Sequence, residues 1–115
     1  MERLTPDLLI IGAGSGGLSV AAGAAQMGAD VVLLEGHKMG GDCLNYGCIP
    51  SKALLASGKA AEVQRHAGAF GVQVARSEAD YAAAMHHVRD IIATIAPDEE
   101  LDGLAAGNRG VDLVT

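Results

Sequence analysis

The chain has no tryptophan, one phenylalanine and two tyrosines among its 115 residues, so its core must be built from Ala, Val, Leu and Ile. Basic residues are scarce, 8 Lys and Arg against 14 Asp and Glu, for a net charge of -6. No basic stripe exists, which argues against a nucleic-acid partner. The N-terminus, Met1-Glu2-Arg3-Leu4-Thr5-Pro6-Asp7, lacks the charged-then-apolar plan of a signal peptide. Residues 8–34 are apolar, but they hold six glycines plus Gln26 and Asp30. A Gly turn follows directly on Ile11, so no membrane span is expected. Without an export signal, the reducing cytoplasm is the expected compartment. Cysteine occurs only twice, at 43 and 48. A pair in that compartment is more often catalytic or metal-binding than structural.

Apolar residues make up 50% of the chain and charged residues 19%, a globular composition. The length suits one domain or part of one. Glycine is in excess, 16 residues, about twice the usual share. Many cluster at 12, 14, 16 and 17 and again at 40, 41 and 47, so they mark specific turns.

Asp7-Leu8-Leu9-Ile10-Ile11 reads as a fully buried strand, short, apolar and ended by Gly. Ser15 to Met27 reads as a helix of small residues, closed by Gly28 where a left-handed cap is wanted. Val31-Val32-Leu33-Leu34-Glu35 is a second buried strand. Strand, helix and strand over residues 7–35 form a βαβ unit with parallel strands. A second helix is expected from Ser51 to about His66, with Pro50 at its start and Ile49 kept out of it. For the third helix, Ser77 is the expected cap and Asp80 its capping-box partner. Tyr81, Met85, Val88, Ile92 and Ile95 share one stripe, and Pro97 is expected to stop the helix. A short helix is expected over Asp98–Ala106, ended by Gly107, and a further strand begins at 111–115. The fold class is α/β, a Rossmann-like parallel sheet that the chain carries only in part.

Gly12, Gly14 and Gly17 give the pattern G-x-G-x-x-G. The first Gly permits a tight turn, the second lets backbone approach a pyrophosphate, and the third lets helix and strand pack closely. The helix N-terminus then offers N–H groups and a positive dipole end. Glu35 ends the second strand 18 residues after Gly17, where a carboxylate accepts the hydroxyls of an adenosine ribose. The motif points to a dinucleotide without choosing FAD over NAD.

Cys43 and Cys48 lie at i and i+5 in Gly40-Gly41-Asp42-Cys43-Leu44-Asn45-Tyr46-Gly47-Cys48-Ile49-Pro50-Ser51-Lys52. In a regular helix their Cα atoms would stand about 8–9 Å apart, whereas a disulfide needs roughly 4.4–6.8 Å. Either the two never bond or the backbone departs from a helix, which Asn45 and Gly47 make easy. A structural disulfide, a metal site and a redox pair are the competing readings. A metal site needs further ligands, and His37, His66, His86 and His87 stand at no recognised spacing. A thiolate is favoured by a positive charge or a helix N-terminus. Pro50-Ser51-Lys52 offers both, while the Asp42 carboxylate beside Cys43 works against it.

The run GGDCLNYGCIPSK resembles the active-site signature of the class I pyridine nucleotide-disulfide oxidoreductases: dihydrolipoamide dehydrogenase, glutathione reductase and mercuric reductase. DLLIIGAGSGG, VVLLE, FGV and VRDIIATIAP are similar to the family's FAD domain, so the resemblance covers nearly all of the chain to Pro97. It implies that residues 1–115 are the N-terminal part of an FAD-binding domain, with a redox-active segment at 40–52 and a helical segment at 51–96. It implies that Gly12, Gly14, Ser15, Gly16 and Gly17 hold the FAD pyrophosphate and Glu35 the adenosine ribose. Gly41 and Asp42 would lie along FAD and Lys52 near the flavin. Cys43 would be the interchange thiol and Cys48 the flavin-proximal thiol, with electrons from NAD(P)H.

The family usually has Thr at Asp42 and often Val at Tyr46. Ser51 resembles the lipoamide and mercuric branches. The implied substrate is a small-molecule or lipoyl disulfide, or a soft metal ion in a mercuric reductase-like enzyme; the implied assembly is a homodimer. A non-catalytic, truncated flavin-binding fragment is the reading from another class. Family members are about four times longer and carry the NAD(P) site and a His–Glu dyad beyond this region. His66, His86 and His87 are read as structural or solvated, not as that dyad.

Overall fold

The computed structural model describes residues 3–75, 78–99 and 111–114. In chain order the elements are β1 (Leu8–Ile11), α1 (Ser15–Gln26), β2 (Val31–Leu34), α2 (Gly41–Asn45), α3 (Cys48–His66), a 3-10 turn (Ala67–Phe70), α4 (Tyr81–Glu99) and β3 (Val111–Val114). The three strands form a parallel sheet in the order β1-β2-β3. Leu8 pairs with Val31 and Ile11 with Leu34; Val31 pairs in turn with Val111.

Helix α1 packs against the strands because its apolar stripe is small. Leu18, Ala21 and Ala25 are buried at i, i+3 and i+7. Ala13, Leu18 and Leu33 form one core cluster, with Ala21, Ala25 and Val31 beside it. Gly28 has φ of +91° just after the helix. That left-handed turn closes α1 and lets the chain enter β2. The Asp7 carboxylate accepts the Asp30 N–H at 2.9 Å, bracing the starts of β1 and β2.

β2 is buried as expected: Val31, Val32 and Leu33 are at most 4% exposed. β1 is not. Its pattern alternates, with Leu9 52% and Ile11 81% exposed. The reason is position: β1 lies at the edge of the three-stranded sheet, and α1 covers only the face carrying Leu8 and Ile10.

α3 and α4 pack on each other. Val88 is the buried residue of the α4 stripe, with Met85, Ile92 and Ile95 half-buried. Tyr81 is exposed, because it opens the helix before the packed turns begin. Three boundaries differ by more than one residue from the sequence expectation. α3 begins at Cys48 and includes Ile49, since a helix's first N–H groups need no intrahelical acceptor and Pro50 in the first turn forfeits nothing. Asp80 caps α4, accepting the Ala83 N–H at 3.0 Å; the expected Ser77 cap lies outside the described residues. Pro97 sits inside α4, which runs to Glu99. A proline in the last turn removes one terminal hydrogen bond without ending the helical dihedrals at once. Of the short helix expected over 98–106, Asp98 and Glu99 belong to α4; the rest lies outside the described residues.

Candidate functional site

The site grows from the end of β1. Gly12 has φ of +103° and its N–H donates to the Leu34 carbonyl at 2.7 Å. The chain can then turn sharply into α1 while staying tied to β2. A Cβ at Gly17 would overlap the Gly12 carbonyl oxygen, so the third glycine of the motif is required by packing. Gly14 and Gly16 are different: nothing lies within 4 Å of where their Cβ would stand. Gly14 is the residue before α1, and no side chain caps that helix end. Uncapped first-turn amides beside open space, with Ser15 exposed next to them, fit an anionic pyrophosphate.

Glu35 follows β2. Its Oε2 accepts the Ala13 N–H at 2.7 Å and its Oε1 accepts the His37 N–H at 2.8 Å. The Ala13 N–H first, then the His37 N–H, hold this carboxyl below the ordinary carboxylate range. Beside the ribose role expected from the sequence, Glu35 has a structural one: it straps the glycine loop to the β2 loop. Its oxygens keep further lone pairs for hydroxyl donors. The 22-residue separation of Glu35 from Ala13 hides this strap from a local reading.

The segment that carries the two cysteines docks on the same loop. Gly40 and Gly41 both have positive φ, +86° and +57°. The Gly40 N–H donates to the Ala13 carbonyl at 2.8 Å, and a Cβ on Gly41 would come 2.8 Å from the Gly14 Cα. Glycine at 41 thus lets the segment carrying the cysteines lie directly against the candidate nucleotide loop. The Asn45 amide donates to the Met39 and Gly41 carbonyls at 3.0 and 2.9 Å, folding α2 onto its own approach. Leu44, 2% exposed, anchors α2. Asp42 is exposed in the first turn of α2, where a carboxylate also complements the helix dipole.

The two cysteines occupy different helices. Cys43 lies in α2 and Cys48 begins α3, with the break at Tyr46 and Gly47. Of the two alternatives left by the i,i+5 spacing, a departure from regular helix is present. It folds the chain back, so that a Cβ built on Gly47 would lie 3.7 Å from the Cys43 Cα. The two thiols are not joined. Cys43 is half-buried and Cys48 exposed. The Ser51 hydroxyl donates to the Cys48 carbonyl at 3.1 Å, and Lys52 is exposed in the next position of α3. Among the described residues, no group of three or more His, Cys, Asp or Glu is placed to hold a metal. His66 pairs with Glu62 and His86 with Asp90, all on exposed helix faces. No described helix is long and apolar enough to cross a membrane.

One group of residues went unread in the sequence. The Tyr46 hydroxyl lies 3.3 Å from His37 Nε2, and the Lys38 ammonium sits over the Tyr46 ring, 5.4 Å from its centroid. Only the departure from Val at position 46 pointed there.

Residues 6–105 match the family model described as pyridine nucleotide-disulphide oxidoreductase. The chain is 42% identical over 103 residues to the dihydrolipoyl dehydrogenase of Chlamydia muridarum, covering 90% of this chain and 22% of that protein. It is 41% identical to dihydrolipoyl dehydrogenase 2, chloroplastic, of Arabidopsis thaliana, covering 95% of this chain and 19% of that protein. Among solved structures, it resembles the Cu(II) complex of the HOCl-induced flavoprotein disulfide reductase RclA from Escherichia coli. The TM-score is 0.68 at 25% identity, over 94% of this chain and 21% of that one. The chain spans about a fifth of the length of these relatives. With its glycine loop, strand-end acid and cysteine segment assembled against one another, the chain belongs to the pyridine nucleotide-disulphide oxidoreductase family.

Proposed function

We propose that this chain forms the FAD-holding and dithiol-bearing part of a disulfide oxidoreductase of the dihydrolipoyl dehydrogenase type. The observation that carries the reading is the close approach of Gly41 to Gly14, which seats the cysteine segment on the glycine loop. Residues 1–115 are then the N-terminal part of an FAD domain. The Gly12, Gly14, Ser15, Gly16 and Gly17 backbone holds the pyrophosphate, and Glu35 the adenosine ribose. Gly41 and Asp42 lie along the cofactor, with Lys52 and Cys48 on its flavin side. FAD, when bound, supplies the two-electron link between NAD(P)H and the disulfide.

Cys43 does the exchange chemistry. Its thiolate attacks a substrate disulfide, forms a mixed disulfide, and releases one substrate thiolate, which takes up a proton. The Cys48 thiolate then attacks the Cys43 sulfur and frees the second substrate thiol. The product is a Cys43–Cys48 disulfide and a reduced substrate; a dihydrolipoyl substrate runs the same steps backward. The names of the similar dehydrogenases favour a lipoyl disulfide. A mercuric reductase-like use of the thiol pair on a soft metal is the second reading, and the Cu(II) complex of the E. coli reductase is what favours it. A homodimer and a cytoplasmic setting complete the proposal.

Titration of the purified chain with FAD tests it. Binding, seen as quenched flavin fluorescence and co-elution of the yellow cofactor, supports the reading. No binding at any FAD concentration overturns the cofactor assignment for these residues.

A further inference from the structure

Tyr46 stands between the two cysteines, at the break between α2 and α3. Its side chain is 59% exposed, so apolar burial does not hold it in place. What holds it is polar: His37 Nε2 at 3.3 Å from its hydroxyl, and the Lys38 ammonium over its ring. Both partners belong to the loop after β2, and the His37 N–H is itself fixed on Glu35 Oε1 at 2.8 Å. A continuous path of contacts therefore runs from Glu35 through His37 to the peptide that joins Cys43 to Cys48. Gly47, next along the chain, has φ of -122° and ψ of -103° and lends that peptide conformational freedom. A valine at position 46 could make neither contact.

We propose that Tyr46 is a positioning residue. It fastens the hinge between α2 and α3 to the β2 loop and keeps Cys43 folded back beside Gly47, in reach of Cys48. The physical basis is the effective concentration of one thiol at the other: restraining the hinge raises it, and releasing the hinge lowers it. The proposal rests on the reading of Cys43 and Cys48 as a redox couple.

The test is a thiol equilibrium on the full 115-residue chain. The protein is equilibrated in buffers of reduced and oxidised glutathione, quenched with acid, alkylated and weighed intact. In the reaction, one oxidised glutathione takes two electrons and two protons from the Cys43–Cys48 dithiol. It leaves two reduced glutathiones and the closed disulfide. Tyr46→Val lowers the closure constant about fivefold, through loss of one hydrogen bond and one exposed cation–π contact. Tyr46→Phe and His37→Ala each lower it about twofold, and together no further, because both remove the same bond. An unchanged closure constant in Tyr46→Val overturns the proposal. If that variant melts early, His37→Ala decides, since it leaves the cysteine segment intact; an unchanged constant there also overturns it. A wild-type chain that forms only glutathione adducts and never closes overturns the redox-couple reading, and the role of Tyr46 with it. That result differs visibly from equal closure by wild type and variant.

Discussion

Glu35 Oε2 and the Ala13 N–H are 2.7 Å apart, joining the end of β2 to the glycine loop that follows β1. The same carboxylate takes the His37 N–H, so one side chain closes two loops around the candidate nucleotide site.

A pH dependence follows from that pair. The Glu35 carboxyl titrates below its ordinary value of 4.5 in the folded chain. Its contribution to stability is present above the unfolded value and is lost as pH falls through the lower, folded value. Glu35→Gln keeps an acceptor but no charge. The expected outcome is a melting-temperature gap between wild type and variant at neutral pH that narrows below pH 4.5. Thermal melts read by circular dichroism across the acid range check it. The same variant binds ADP about tenfold more weakly, the effect of losing a charge-assisted bond to a ribose hydroxyl.

The glycines of the loop separate by role. Gly17→Ala drives a Cβ into the Gly12 carbonyl oxygen, which belongs to backbone. It costs about 3 kcal/mol in denaturant unfolding. Gly16→Ala meets open space within α1, and gains up to about 1 kcal/mol of helix propensity. Equal effects of the two substitutions would contradict the packing described for Gly17.

Thiol alkylation distinguishes the two cysteines without any turnover. Cys48 is exposed and Cys43 half-buried, so iodoacetamide modifies Cys48 the faster in the cofactor-free chain. With FAD bound and Cys48 on the flavin side, its modification slows at least severalfold while Cys43 changes little. Mass spectrometry of the peptides reads both rates. Equal protection of neither thiol in FAD-loaded protein would remove Cys48 from the flavin.

Asp42 brings a negative charge to a segment lying against the loop proposed for a pyrophosphate. Asp42→Thr supplies a hydroxyl and removes the repulsion, so FAD binds severalfold more tightly. The gain shrinks as salt is raised from 0.01 to 1 M, where the screening length falls from about 30 to about 3 Å. Isothermal titration at two ionic strengths checks both statements. The loss of a favourable α2 dipole contact costs the variant up to about 1 kcal/mol of stability.

The sequence by itself determined the parts whose causes are local. Gly12 and Gly28 announce turns that need positive φ, and the run of small residues between them announces α1, though not the face, Leu18, Ala21 and Ala25, that it buries. The i,i+5 cysteines announce a broken helix, and the break is there. What was not local was not legible. Whether β1 is buried depends on which neighbours cover its outer face, and Leu9 and Ile11 carry no mark of that. Pro50 and Pro97 read as boundaries because propensity counts only the residue. The helices pass through them near their ends, where few backbone bonds are at stake. The dual hold of Glu35 and the seating of Gly41 on Gly14 join residues far apart in the chain. The contact of Tyr46 with His37 likewise joins two loops. Only the tertiary structure could decide these, because each is a distance between loops that separate strands and helices bring together.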